Sequence, residues 1–208
     1  MTNLSFRGAP GGRASALVGL MGLAMLTAGL PAQAHHAMEL LQAKPTALNG
    51  LVSGLLHPVL GPDHLLFLLA LSLVGLRHRA GWMLGMLAVG LAGSAIGLLA
   101  PGLPAAEVLV ALSLVVVALV LAERLPRPWL LPAFALHGYV LSASVLGWTA
   151  MPVAAYLLGL MLSQGLLLFA SLRLLAASAA TIGTRTRRAL AVAVAGAGTL
   201  LAVAPLLA

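Results

Sequence analysis

The sequence predicts an all-α, polytopic transmembrane helix bundle of about six spans, preceded by a cleaved signal peptide and opened by a broken or kinked first span. Three observations carry this. Of 208 residues, 62% are hydrophobic and only 7% are charged, against roughly 25% in an average soluble domain, and the mean hydropathy is +1.10. The apolar residues come in long runs, broken at 77–79, 101–104, 123–128, 148–152 and 178–188. The basic residues gather in short clusters between those runs, as in polytopic membrane proteins. A soluble fold of this size could not coat its surface with so few polar groups. The formal net charge of +7 is therefore no sign of a nucleic-acid partner; the bilayer is the partner that this composition demands. The absence of cysteine excludes a disulfide framework, a thiolate zinc site and a cysteine nucleophile.

Residues 1–34 read as a secretory signal peptide. Arg7 and Arg13 form a basic start, 14–30 an apolar stretch, and Ala32-Gln33-Ala34 a small-x-small cleavage site. The competing reading is an uncleaved anchor helix, for which the apolar run is short of the roughly 20 residues a span needs. Cleavage leaves 35–208 as one six-helix domain that starts with His35 and His36 on the outer side. Its spans are expected at 48–75, 81–100, 105–122, 129–147, 152–176 and 188–207, each near the length that crosses about 30 Å of hydrocarbon at about 1.5 Å per residue. The first and fifth are long, which predicts tilt or a break. Helices are expected rather than strands because a helix satisfies its own backbone groups in lipid.

With the mature N-terminus outside, the inside loops collect Arg77, Arg79, Arg124, Arg127, Arg173, Arg185, Arg187 and Arg188, and the outside segments hold only Lys44. That asymmetry is the positive-inside pattern. It predicts both mature termini outside, on the periplasmic face of the inner membrane in a Gram-negative cell. Gly85, Gly90, Gly93, Ser94 and Gly97 in the second span, with Gly196 and Gly198 in the sixth, predict close helix–helix packing. Met83, Met86, Met151 and Met161 are scattered without a Met-x-x-Met repeat and read as packing residues, not soft-metal ligands.

Ionisable residues inside a span cost roughly 2.5–3.5 kcal/mol on insertion scales and point to function. Here they are few. His57, Asp63 and His64 fall in the first span, in the string HPVLGPDH; Glu107 opens the third span and His137 is central in the fourth. Glu123, beside Arg124, reads as interfacial. In an unbroken helix the seven-residue spacing of His57 and His64 puts them on one face, about 10 Å apart along the axis. Pro58, Gly61 and Pro62 lie between them, and proline removes amide donors from the ladder. A kink here would shorten the His–His separation and turn carbonyls toward a cavity, as in the broken helices of transporters. His57 and His137 both fall roughly 12–14 Å into the membrane, with Asp63 and His64 deeper and Glu107 near the outer mouth. Imidazole plus carboxylate without thiolate suits nickel or cobalt, and accommodates zinc, copper and iron. Asp63 reads as a ligand or as the acceptor that orients a histidine. The bland alternative is a buried polar network that only bonds helices together.

HPVLGPDH resembles the HPxxGxDH signature of the HupE/UreJ family, membrane proteins regarded as nickel or cobalt permeases that serve hydrogenase and urease maturation. The similarity spans nearly the whole mature chain. His35 and His36 resemble that family's His-bearing mature N-terminus. LPAAEVLVALSLVVVALVLA resembles its third span and puts Glu107 on the family's glutamate. FALHGYVLSASV resembles its HGYAHG-type segment and puts His137 on the first histidine there. Leu141 stands where the family usually has a second histidine, with no acid close by, and Leu168 where its fifth span commonly has another; Ser163 and Gln164 are the polar groups near that point.

Three functions compete. The first is a secondary uptake permease for a divalent metal ion, most simply Ni2+ or Co2+, carried as cargo and not as a resident cofactor. His35 and His36 would capture the ion, Glu107 attract it, and His57, Asp63, His64 and His137 coordinate it in passage. Without a Walker-type loop the chain cannot itself hydrolyse ATP. Acid should weaken transport, since a proton competes for imidazole. The resemblance also implies a link to urease or hydrogenase maturation. The second is an intramembrane hydrolase, with metal-activated water or a serine; but GSAIG is not GxSxG, and no serine pairs obviously with a histidine. The third is a non-transporting metal-binding accessory or sensor, which the leucines at 141 and 168 would suit.

Overall fold

A computed structural model describes residues 44–76, 80–176 and 182–207. The expected signal peptide, with His35 and His36, lies outside these residues. The described chain is helical, with no strand among the described residues: α1 (Ala47–Leu60), α2 (Pro62–Gly75), α3 (Ala80–Leu99), α4 (Ala106–Leu121), α5 (Leu130–Leu141), α6 (Ala150–Ala176) and α7 (Thr184–Leu207). Short 3-10 turns, Arg127–Trp129 and Ser142–Val145, flank α5.

Each of the six expected segments is helical at its expected place, but the helices differ in reach. Those of α3, α6 and α7 are long and apolar enough to cross a membrane, and α1 with α2 make a fourth candidate span, bent by 72°. The remaining two are shorter, 16 residues in α4 and 12 in α5. At about 1.5 Å per residue, 16 residues reach about 24 Å. The breakers explain this. Glu123, at φ 62, closes α4: the Glu123 amide bonds the Val120 carbonyl and the Arg124 amide bonds that of Leu119, a Schellman pair with glutamate in the slot that glycine usually takes. Pro126 is extended ahead of the turn into α5, and Gly147, at φ 81, ends the stretch after it.

The bend sits at Gly61 (φ −80, ψ 107), which is the C-cap of α1 and the N-cap of α2. Pro62 has no amide to offer the Pro58 carbonyl, so the ladder stops there. Pro62 then occupies the first position of α2, where the missing amide costs nothing, and Asp63 in that first turn complements the helix dipole. Thr46 begins α1 by accepting from the Asn49 amide at 3.2 Å.

The centre of the bundle is α2. Every residue from Leu66 to Gly75 is buried, as expected for a helix that is apolar all round, and it packs on α4 and α6. Around it three pairs, α1–α6, α3–α5 and α4–α7, make the most extensive helix–helix contacts. Glycine brings their backbones together. Gly50 and Gly54 of α1 face the Pro152 and Tyr156 carbonyls of α6; Gly93 faces Ala135; Gly138 faces Gly90; Gly198 faces Ala111 and Leu114. The packing expected of Gly90, Gly93, Gly97 and Gly198 is thus present, while Gly85 and Gly196 face open space. Met83 and Met86 are fully buried in the core, whereas Met151 and Met161 are exposed on α6.

Candidate metal centre

The bend places the polar residues. His57, one turn before it, and His64, one turn after it, are both 3% exposed. Their ring centroids are 5.7 Å apart, well inside the roughly 10 Å axial separation of a straight helix. Gly61 is required at the joint: a Cβ there would sit 2.7 Å from His64 Cδ2.

His137 reaches the same point from α5. Its Nδ1 lies 2.8 Å from His64 Nδ1, and the two ring centroids are 5.1 Å apart. The His137 ring also lies against Phe67 of α2, with centroids 4.1 Å apart. Ser113 of α4 meets the other His137 nitrogen, with Oγ 2.7 Å from Nε2. On the far side Tyr156 of α6 brings its hydroxyl 2.8 Å from His57 Nδ1, and Ser144 stands 3.3 Å from the same nitrogen. Four helices besides α2 thus supply one polar seam through the core.

Two backbone carbonyls set the direction of the hydrogen bonds, because a carbonyl can only accept. The Ser113 hydroxyl donates to Val110 O at 2.6 Å. Ser113 therefore accepts from His137 Nε2–H, which leaves His137 Nδ1 as an acceptor and makes His64 Nδ1 the donor. The Tyr156 hydroxyl donates to Leu141 O at 2.5 Å, so its oxygen accepts from His57 Nδ1–H. Each relay leaves Nε2 as the lone-pair nitrogen, on His64 and on His57. Neutral Nε2 with Nδ1–H held by a partner is the usual state of a metal-ligating histidine. Two imidazoles that share one ion at about 2.1 Å from each nitrogen place their ring centroids roughly 5–6.5 Å apart, and the His57–His64 spacing falls in that range.

The other expected residues are placed as follows. Asp63 is partly buried, with Oδ2 3.8 Å from His64 Nδ1. Both nitrogens of His137 are engaged, so in this arrangement it orients His64. Glu107 is exposed in the first turn of α4, about 9 Å along the axis from Ser113. Among the described residues no three His, Asp or Glu side chains close on one point as a finished cage. Leu168 is fully buried, and Leu141 contributes its carbonyl, not its side chain. The polar atoms Ser53 Oγ, one turn before His57, and Gln164 Oε1, in α6, are buried without a hydrogen-bond partner.

Tyr156, Ser113, Ser144 and Phe67 were not singled out by sequence reasoning. The one available signal was for Tyr156, the one tyrosine of the long fifth apolar segment; Ser113 and Ser144 are two of several serines in these spans, and Phe67 is one more apolar residue.

Neither the curated proteins nor the solved structures include a match. The family model described as HupE / UreJ protein matches residues 23–201, and the chain therefore belongs to the HupE/UreJ family.

Proposed function

We propose that the protein is a secondary uptake permease for a divalent transition-metal ion, nickel or cobalt, which passes through the His57–His64 pair at the bend of the first span. The observation that carries this reading is the pair of Nε2 lone pairs, each set by a relay that ends on a carbonyl, on two imidazoles 5.7 Å apart. Two nitrogens, without a finished cage among the described residues, suit an ion that must leave as readily as it arrives. Asp63, beside His64, supplies the charge that a dication needs, and Ser53 and Gln164 offer oxygens along the way. Family membership points to the same cargo. In this reading six segments cross the inner membrane with both termini on the periplasmic side, His35 and His36 capture the ion, and Glu107 attracts it at the outer mouth.

The test is nickel and cobalt flux into liposomes that contain the full chain. His57→Ala, His64→Ala and Asp63→Ala should each lower flux at least about tenfold, in line with the loss of a ligand or its orienting partner. Lower external pH should lower wild-type flux, because protonated imidazole has no lone pair for metal. Flux unchanged by His57→Ala and Asp63→Ala would reject the proposal.

A further inference from the structure

At the end of the bundle where α2 and α4 finish and α7 starts, the chain forms a half-open cavity of about 640 Å³, within the roughly 300–1,000 Å³ of small-molecule sites. Its lining combines apolar residues, among them Leu73, Leu121 and Leu125, with the arginines Arg124, Arg127 and Arg187. Glu123 also lines it and is paired with Arg187 at 2.5 Å. The lining thus carries three guanidiniums against one carboxylate. The Arg187 side chain is held by its pair with Glu123, and the backbones of Arg124 and Arg127 are fixed by the turn and prolines around them. The Arg187 side chain is only 16% exposed, Arg124 follows the Schellman turn of α4, and Arg127 lies between Pro126 and Pro128. A second cavity, of about 270 Å³, shares Arg124 and adds Arg188 to a lining that includes Leu119, Val192 and Ala195.

Cationic and apolar residues in one lining call for a ligand with both characters. A small soluble anion would satisfy the guanidiniums and leave the leucines wet. A zwitterionic lipid would cover the leucines and bring a cation of its own to the arginines. We propose that this cavity seats the phosphate headgroup of an anionic phospholipid, with Arg124 and Arg127 on the phosphate oxygens and the acyl chains along the leucines. Guanidiniums match phosphate oxygens in bidentate geometry, and basic pockets between membrane helices bind anionic headgroups. The site lies at the opposite end of α2 from His64 and does not depend on the metal reading.

The full-length protein, purified in mild detergent, is offered phosphatidylglycerol and phosphatidylcholine in equal amounts, and the lipid it retains is counted by native mass spectrometry. Phosphatidylglycerol should be preferred at least about fivefold, and the double variant Arg124→Gln, Arg127→Gln should lose the preference. The double variant Arg173→Gln, Arg185→Gln has the same net charge but leaves both cavities intact, and should keep it. If the first variant does not fold, Arg124→Ala alone serves, and should show a reduced preference. Equal retention of the two lipids by the wild type overturns the proposal, as does a preference that survives both Arg124 substitutions. Inorganic phosphate is the second arm: if it raises the melting temperature of the wild type and displaces the retained lipid, the ligand is a free anion and the lipid source is wrong.

Discussion

The two halves of the broken first span are equal in length, 14 residues each, and opposite in use. One face of α1 buries Gly50, Ser53, Gly54, His57 and Pro58, while Val52, Leu56, Val59 and Leu60 are exposed on the other. It is a rim helix, pressed on α6 backbone to backbone. The second half, α2, is buried all round from Leu66 onward and is held by side-chain packing. The difference shows what the break achieves. A straight helix would have to be either rim or core along its whole length; a bend at Gly61 lets one segment be both, and sets two histidines at the joint.

The contrast can be broken in three ways, in falling order of effect. In α2, Phe67→Ala removes a fully buried ring that packs on Phe134 and His137. It should cost about 3–5 kcal/mol in reversible unfolding in mixed micelles, whereas Leu56→Ala on the exposed face of α1 should stay within about 0.5 kcal/mol. Equal losses would erase the rim–core distinction. In α1, Gly54→Ala puts a Cβ into the Tyr156 carbonyl and should cost about 1–3 kcal/mol, while Gly85→Ala, which faces open space, should leave the unfolding midpoint unchanged or raise it. At the joint, Tyr156→Phe removes the acceptor of His57 Nδ1–H. Nickel affinity, read by equilibrium titration, should drop about tenfold, with a stability loss of only about 1 kcal/mol. Undiminished affinity would detach Tyr156 from the metal site.

Much of this arrangement was legible in the sequence, because its causes are local. Pro58, Gly61 and Pro62 announce the break through backbone chemistry alone. Gly90, Gly93 and Gly97 announce a packed face through their spacing. Depth alone matched His137 with His57 and put His64 deeper; in the structure the bend at Gly61 brings His64 to His137, with their Nδ1 atoms 2.8 Å apart. The relays were not legible. Ser113 and Tyr156 act through partners 24 and 99 residues away in the chain, and no local pattern encodes which helices become neighbours. The anchor at Leu141 was hidden more deeply, because its contribution is a carbonyl that any residue carries: a position that looked vacant in side-chain terms is occupied by the main chain. The 16 residues of α4 fall within the expected 105–122, but the reach of α5 was overestimated, because hydropathy counts apolar residues and does not register that the α-helix stops at Leu141 and passes through a 3-10 turn to Gly147.

The bend also has a mechanical consequence. A pivot at Gly61 makes α1 a lever about 21 Å long, with His57 only about 6 Å from the fulcrum. A swing of about ten degrees, made together with the part of α6 on which Gly50 and Gly54 are seated, would carry the end near Ala47 through about 4 Å and shift His57 by about 1 Å. Large strokes at the start of α1 would reach the imidazole pair as small changes of grip.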